Sequence, residues 1–255
     1  MDQIVAVILT LNEEKHIAAC IETVQWCDAI VVWDSYSTDR TCEISRQMGA
    51  RVIQHPFHGY GNQRQSAMQG ILAEWVLFVD ADERVTPQLA DEIAQVLRER
   101  PKVVGWWIPR HNYILGKLAL YAGWYPDYQM RLLRPDRSRW DPERQVHELA
   151  ILDGPDGYLT QVLVHHNYES LSQFKRTQDR YTDIDAQILL NRGTKPNWWS
   201  PITMLLRHFW WRYVTLRGYK GGFHGLWLSA AMSYYESAKY VRLARLWRQK
   251  TGLTT

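Results

Sequence analysis

The apolar run Trp75-Val76-Leu77-Phe78-Val79 stops abruptly at Asp80-Ala81-Asp82-Glu83. A short stretch with no polar interruption reads as a strand covered on both faces. Its carboxyl end delivers two aspartates one residue apart. Such a pair repels itself unless a cation sits between the two charges. Hard carboxylate oxygens suit Mg²⁺ or Mn²⁺, which in turn bind phosphates. The motif therefore reads as a metal–diphosphate site at the edge of a sheet. Taken alone, a polar surface turn explains it equally well.

The same pattern occurs twice upstream. Ile4–Leu9 is an apolar run followed by Thr10-Leu11-Asn12-Glu13-Glu14, and Ala29–Trp33 runs into Asp34-Ser35-Tyr36-Ser37-Thr38-Asp39. Arg51–Gln54 reads as a third short strand. Helices are predicted from a cap at Asn12 to about Val24, over about 40–48, over about 62–73, and from Pro87 to about Arg98. Strands alternating with helices at this spacing predict a parallel, doubly wound α/β sheet. Ligands in such sheets bind at the carboxyl ends of the strands, where all three polar loops fall. Strand-like runs at 104–109, 129–134 and 159–165, with long loops between them, read as a substrate-binding half. Helices are predicted over 170–191 and 199–248, the latter broken near 218–225.

With 255 residues, 46% of them apolar, the chain can build one substantial domain and an appendage. We place the catalytic domain at 1–190 and a tail at 191–255. Residues 197–255 carry nine Lys/Arg against the single acid Glu236, and six of the 13 tryptophans. That composition, with the pairs Trp198-Trp199 and Trp210-Trp211, suggests contact with an anionic membrane surface, by a helix bearing Tyr234, Ala238, Val241, Ala244 and Arg245 at helical spacing. The alternatives are an ordinary amphipathic helix packed on the domain, or a homo-oligomer interface. Three cysteines in no paired pattern argue against a disulfide framework and for a reducing, cytoplasmic setting. We read no signal peptide, no spanning helix and no nucleic-acid module.

Together, Ile8-Leu9-Thr10-Leu11-Asn12-Glu13-Glu14, Asp34–Thr41 and Val79-Asp80-Ala81-Asp82-Glu83 resemble family 2 glycosyltransferases of the GT-A fold. Tyr125–Leu132, Val146-His147-Glu148 and His165-His166-Asn167-Tyr168 are similar to the subgroup that includes lipopolysaccharide core glucosyltransferases. The resemblance implies a Rossmann-like, mostly parallel sheet flanked by helices, with the C-terminal segment as an amphipathic helical extension. It also implies inverting transfer of a hexose from a nucleotide-sugar, usually UDP-linked. The acceptor would be a lipid-linked or envelope oligosaccharide, and the cofactor Mg²⁺ or Mn²⁺.

Roles follow from that resemblance. Asp82 is the expected metal ligand, with His165 completing the site. Asp80 is expected to hold the donor ribose or metal-bound water. Thr10, Asn12, Glu13 and Asp34 are expected around the nucleoside; helix capping is the plain alternative for Asp34, and a first-turn helix position for Glu13. Arg64 and Arg131 are expected at the diphosphate, with a surface acid the plain alternative partner for Arg64 and Asp127 a rival partner for Arg131. Glu148, Asp127 and His147 are the candidate bases, Glu148 foremost. A rival reading is a non-catalytic nucleotide-binding scaffold with a partner-binding tail.

Overall fold

The computed structural model of the protein describes residues 2–99, 102–140 and 150–251. Its strands are β1 (Asp2–Thr10), β2 (Ala29–Asp34), β3 (Arg51–Gln54), β4 (Ala73–Asp80), β5 (Glu83–Val85), β6 (Gly105–Ile114), β7 (Lys117–Leu118), β8 (Asp127–Leu133), β9 (Ser138–Trp140), β10 (Ala150–Leu152), β11 (Asp156–Tyr158) and β12 (Leu163–Tyr168). Its helices are α1 (Ile17–Glu22), α2 (Thr41–Gln47), α3 (Tyr60–Gln69), α4 (Pro87–Arg98), α5 (Leu171–Asn191), α6 (Ser200–Trp210) and α7 (Gly222–Thr251).

The main sheet follows the path β3-β2-β1-β4-β8-β6-β12-β5. The first four strands are parallel, as the alternation of strands and helices requires. β8 then enters antiparallel to β4, β6 antiparallel to β8, and β12 antiparallel to β5. The result is a mixed sheet of the GT-A type.

The unbroken apolar runs are explained by burial on both faces. Ile4, Ala6 and Ile8 of β1 and Leu77 and Val79 of β4 pack with Ile17 and Ile21 of α1 and Leu89, Ile93 and Leu97 of α4. The intervening Val5, Val7, Val76 and Phe78 pack on the opposite face with Ala67 and Met68 of α3 and with Trp140. Successive side chains of a strand point to opposite faces, so neither face leaves room for a polar residue. α4 follows directly from its sequence. Thr86 accepts a hydrogen bond from the Leu89 N–H at 3.2 Å, Pro87 opens the first turn, and Leu89, Ile93 and Leu97 form the buried stripe.

One local expectation is corrected. Asn12 does not cap α1: its φ is +57°, a left-handed conformation, and the helix starts only at Ile17. Asn serves a turn there because its short polar side chain tolerates that region.

The chain gathers into two compact units, Met1–His111 with Asp127–His165, and Asn112–Pro126 with His166–Thr255. This grouping does not follow a cut at residue 190, because α5 belongs with the later helices. In the second unit Arg242 of α7 donates to Asp179 and pairs with Asp183 of α5 at 2.7 Å. The chain reverses after α6 through a turn in which Gly218 lies against the start of α7. A Cβ on Gly225 would sit 2.0 Å from the Gly218 carbonyl oxygen, so only glycine permits this approach. The interruption expected near 218–225 is thus a packed crossing.

Ile93→Ala should lower stability by about 2–5 kcal/mol through the cavity it leaves, whereas the exposed Gln95→Ala should change it by under about 0.5 kcal/mol. Urea denaturation of both variants measures the difference.

Candidate active site

Three loops meet at the carboxyl edge of β1, β2 and β4. The register pairs Thr10 with Asp34 and Leu9 with Asp80. Asp34 and Asp80 thus lie two strand spacings apart, about 10 Å between backbones.

The first two loops are fastened to each other by their own polar residues. The Asn12 N–H donates to Ser37 Oγ at 2.8 Å, and the Thr38 N–H donates back to Asn12 Oδ1 at 2.8 Å. The Glu13 N–H donates to Thr41 Oγ1 at 2.8 Å, and the Glu14 N–H to Asp39 Oδ2 at 3.1 Å. The Arg40 N–H completes the set on Glu14 Oε2 at 3.1 Å. Backbone groups that no strand or helix can satisfy find partners here, which is the physical demand behind two hydroxyl- and carboxyl-rich motifs.

Asp34 is buried at the end of β2. It accepts from the Ser37 N–H at 2.9 Å, from the Ser37 hydroxyl, and from Gln54 Nε2 at 3.1 Å. Burial alone would raise its carboxyl; the hydrogen bonds from Ser37 and Gln54 outweigh it and hold the group below the usual carboxylate range. Asp34 therefore orders the second loop and caps no helix; α2 begins seven residues later, at Thr41. Beside it the buried Thr10 hydroxyl has no hydrogen-bond partner among the described residues. An orphaned buried hydroxyl at a strand end is a ready contact for a ligand.

At β4 the sequence reading gains detail. Arg131 of β8, only 2% exposed, places its guanidinium between two carboxylates. It pairs with both oxygens of Asp80 and donates to Glu83 Oε1 at 2.6 Å. Glu83, fully buried, also accepts the Asp80 N–H at 2.9 Å and pairs with Arg110 at 3.2 Å. Arg110 in turn holds Asp127 Oδ2 through two N–H groups at 2.7 and 2.9 Å, while Gln129 donates to Asp127 Oδ1 at 2.9 Å. The partners of Arg131 are thus Asp80 and Glu83; the rival Asp127 belongs to Arg110. Arg64 of α3 reaches Asp80 Oδ1 at 3.4 Å and stacks on Trp140, 5.3 Å from the ring centroid. Burial would raise the Asp80 carboxyl, but Arg131 and then Arg64 overcome it and hold it well below its ordinary value. For Arg131, burial works against the charge, and Asp80 and Glu83 more than restore it.

Asp82 stands apart from that network. Its Oδ2 lies 3.3 Å from Nε2 of His165, which β12 brings in by pairing with β5, His165 opposite Glu83. Among the described residues no group of three or more His, Cys, Asp or Glu converges as a metal cage. The donor set here is one carboxylate and one imidazole. That fits an ion such as Mg²⁺ or Mn²⁺ that takes its remaining ligands from substrate phosphates and water. Asp80, with both oxygens on guanidiniums, is oriented toward the arginines.

Thr10, Asn12, Glu13, Asp34, Asp80, Asp82 and Arg131 therefore come from the three loops and the strands beside them, Arg64 reaches Asp80 from α3, and His165 joins Asp82. Glu148 and His147 lie outside the described residues. Sequence reasoning passed over Glu83 and Arg110, which hold the network together, and Gln63 of α3. Gln63 is buried, donates to Ser35 Oγ at 2.7 Å and accepts from Trp33 Nε1 at 3.0 Å. The one signal for Glu83 was its place directly after the paired aspartates. Cys20, behind the site, is a buried free thiol pushed up by burial; all three cysteines are free.

Residues 5–145 match the family model described as Glycosyl transferase family 2, and the chain belongs to that family. It is 28% identical over 208 residues to the lipopolysaccharide core biosynthesis glycosyltransferase LpsC of Rhizobium meliloti, covering 77% of this chain and 75% of that protein. An uncharacterized glycosyltransferase of Rickettsia felis is 26% identical over 265 residues, covering 96% of this chain and 90% of its own. Among solved structures, glucosyl-3-phosphoglycerate synthase from Mycobacterium tuberculosis, in complex with Mn²⁺, UDP-glucose and phosphoglyceric acid, superposes with a TM-score of 0.50. That match has 17% identity over 76% of this chain and 81% of the synthase. The protein is a glycosyltransferase of GT-A fold, similar to one enzyme of lipopolysaccharide core biosynthesis.

Arg131→Met should destabilise the protein by up to about 3–5 kcal/mol, because it removes the partner shared by buried Glu83 and half-buried Asp80, leaving Glu83 to Arg110 alone and Asp80 to the longer contact with Arg64; urea titration reads this directly. Asp34→Asn should act through pH. The depressed carboxyl stabilises the fold above the unfolded value near 4, and that contribution is lost as pH falls through the folded value. The variant should therefore be less stable than the parent at neutral pH and show a shallower acid limb in stability measured against pH.

Proposed function

We propose that the enzyme transfers a hexose, with inversion, from a UDP-sugar to a hydroxyl of a lipid-linked or envelope oligosaccharide, working at the cytoplasmic face of a membrane. The observation that carries this reading is the Asp82–His165 pair, 3.3 Å apart, beside an Asp80 already neutralised by Arg131. The likeness to a lipopolysaccharide core glycosyltransferase supports the glycan acceptor. The choice of a UDP-sugar rests on analogy with the synthase of like fold, whose complex holds Mn²⁺ and UDP-glucose.

In this reading the acceptor oxygen attacks the anomeric carbon as the bond to the diphosphate oxygen breaks, and UDP departs with the bonding pair. The acceptor proton passes to a carboxylate base. Glu148 is assigned that role. Asp127 is the weaker candidate, since Arg110 and Gln129 already occupy both of its oxygens. His147 is assigned to orient Glu148 or the acceptor. Asp82 and His165 would hold a divalent cation, which would supply positive charge to the leaving diphosphate. Arg64 adds a guanidinium at the same edge. Thr10, with its orphaned hydroxyl, and Asp34 face the nucleoside, with Asn12 and Glu13 fixing the loop beneath it. Asp80 and Arg131 set the geometry of the turn that presents Asp82.

UDP release from a panel of UDP-sugars, with Mn²⁺ or Mg²⁺ and again with EDTA, tests the proposal. One donor should be hydrolysed slowly in a metal-dependent way, and Asp82→Ala should slow it by about 100-fold or more. Release that ignores EDTA, or an unchanged rate in the variant, would remove the metal assignment. Binding of UDP with no turnover of any donor would favour the scaffold reading.

A further inference from the structure

The basic tail divides its work between two helices in a way its sequence conceals. α7, which bears Tyr234, Ala238 and Val241, is the packed helix of the second unit: Leu228, Ser229, Ser233 and Leu243 are buried along it. α6 is the exposed one. None of its residues is buried. Its inner face is pinned to α7, with Ser237 Oγ donating to the Pro201 carbonyl at 2.8 Å and His208 Nε2 lying 3.4 Å from Glu236. Its outer face carries Ile202, Leu206 and Trp210, at 56, 64 and 66% exposure. These positions follow i, i+4, i+8, so they form one stripe along the helix. Trp198 and Trp199 extend it at the amino end, at 79 and 52% exposure. In a soluble domain such a stripe faces the core; here it faces outward.

Charge identifies what covers it. Residues 192–235 contain six Lys/Arg and no carboxylate. Arg212 is engaged by the Ala122 carbonyl at 2.7 Å, while Arg207 on α6 itself and Arg192, Lys195, Arg217 and Lys220 in the segments that flank it in the chain are exposed. A second copy of the chain would bring like charge against like charge. An anionic phospholipid surface offers the opposite sign together with an apolar interior for the stripe. No helix among the described residues is long and apolar enough to cross a membrane, so the geometry is that of a helix lying in the interface. We propose that α6, through Ile202, Leu206 and Trp210, docks the enzyme on anionic phospholipid bilayers, with Trp198 and Trp199 at headgroup depth. The inference deepens the proposed function, resting on a lipid-borne acceptor, and it assigns membrane contact to α6 instead of α7.

The test is co-sedimentation of the full chain with phosphatidylglycerol–phosphatidylcholine vesicles and with pure phosphatidylcholine vesicles. Wild type should pellet with the anionic vesicles, and less so at about 0.5 M salt, where screening shortens the reach of charge to a few ångströms. Leu206→Glu with Trp210→Glu should reduce partitioning by about 10-fold or more. Val241→Glu, at an exposed apolar position of α7, should leave it near wild type. Equal pelleting of the α6 variant and wild type would overturn the proposal. So would a wild-type dimer, seen by sedimentation velocity, that the α6 variant abolishes while vesicle binding persists. UDP binding measured by calorimetry on the same samples separates the two readings. Loss of vesicle binding with UDP binding intact places the fault in the docking surface alone; vesicle binding without any nucleotide binding supports docking and sinks the donor assignment.

Discussion

The site depends on one buried cation. Arg131 lies at the centre of β8 with almost no access to water, and it is tolerable there only because Asp80 and Glu83 converge on it. The dependence runs both ways. Asp80, Asp82 and Glu83 crowd three carboxylates into four residues, and two of them are neutralised by the arginine. What remains at the mouth is Asp82, a carboxylate whose neighbour is an imidazole. Arg110 extends the arrangement to Asp127, so β4, β5, β6 and β8 are joined by alternating charge as well as by the backbone ladder.

A second constraint explains why the motif residues of the first two loops are polar. Leaving a sheet edge exposes backbone N–H groups, and the chain meets that need with Asn12, Ser37, Thr41, Asp39 and Glu14. Much of the polarity of these two motifs is thus loop architecture. The candidates for direct ligand contact are fewer: the orphaned Thr10 hydroxyl, Asp34 at the strand end, and Arg64 beside Asp80.

Much of the fold was legible because its determinants are local. α4 could be placed from Pro87 to Arg98, since cap, proline and apolar stripe all fall within twelve residues. Three of the four parallel strands, β1, β2 and β4, announced themselves as unbroken apolar runs because both faces are covered, whereas β3, at the sheet edge, is the mixed run Arg51–Gln54. Asn12 misled because one side chain serves equally as a helix cap and as a left-handed turn residue, and only the partner loop decides between them. The antiparallel entry of β8 and β6 had no local signal, since strand direction is set by long-range pairing.

The sequence by itself determined the alternation of strands and helices, the delivery of carboxylates to strand ends, and the separation of an acidic body from a basic, tryptophan-rich tail. Periodicity, capping and composition act over a few residues, and they need no partner to be read. Only the tertiary structure decided which charge meets which: Arg131 with Asp80 and Glu83, Arg110 with Asp127, and His165 with an aspartate 83 residues away. It also decided which tail helix is packed and which turns its apolar side outward. An amphipathic sequence states that a face exists, and only the packing of α7 shows that the face left uncovered belongs to α6.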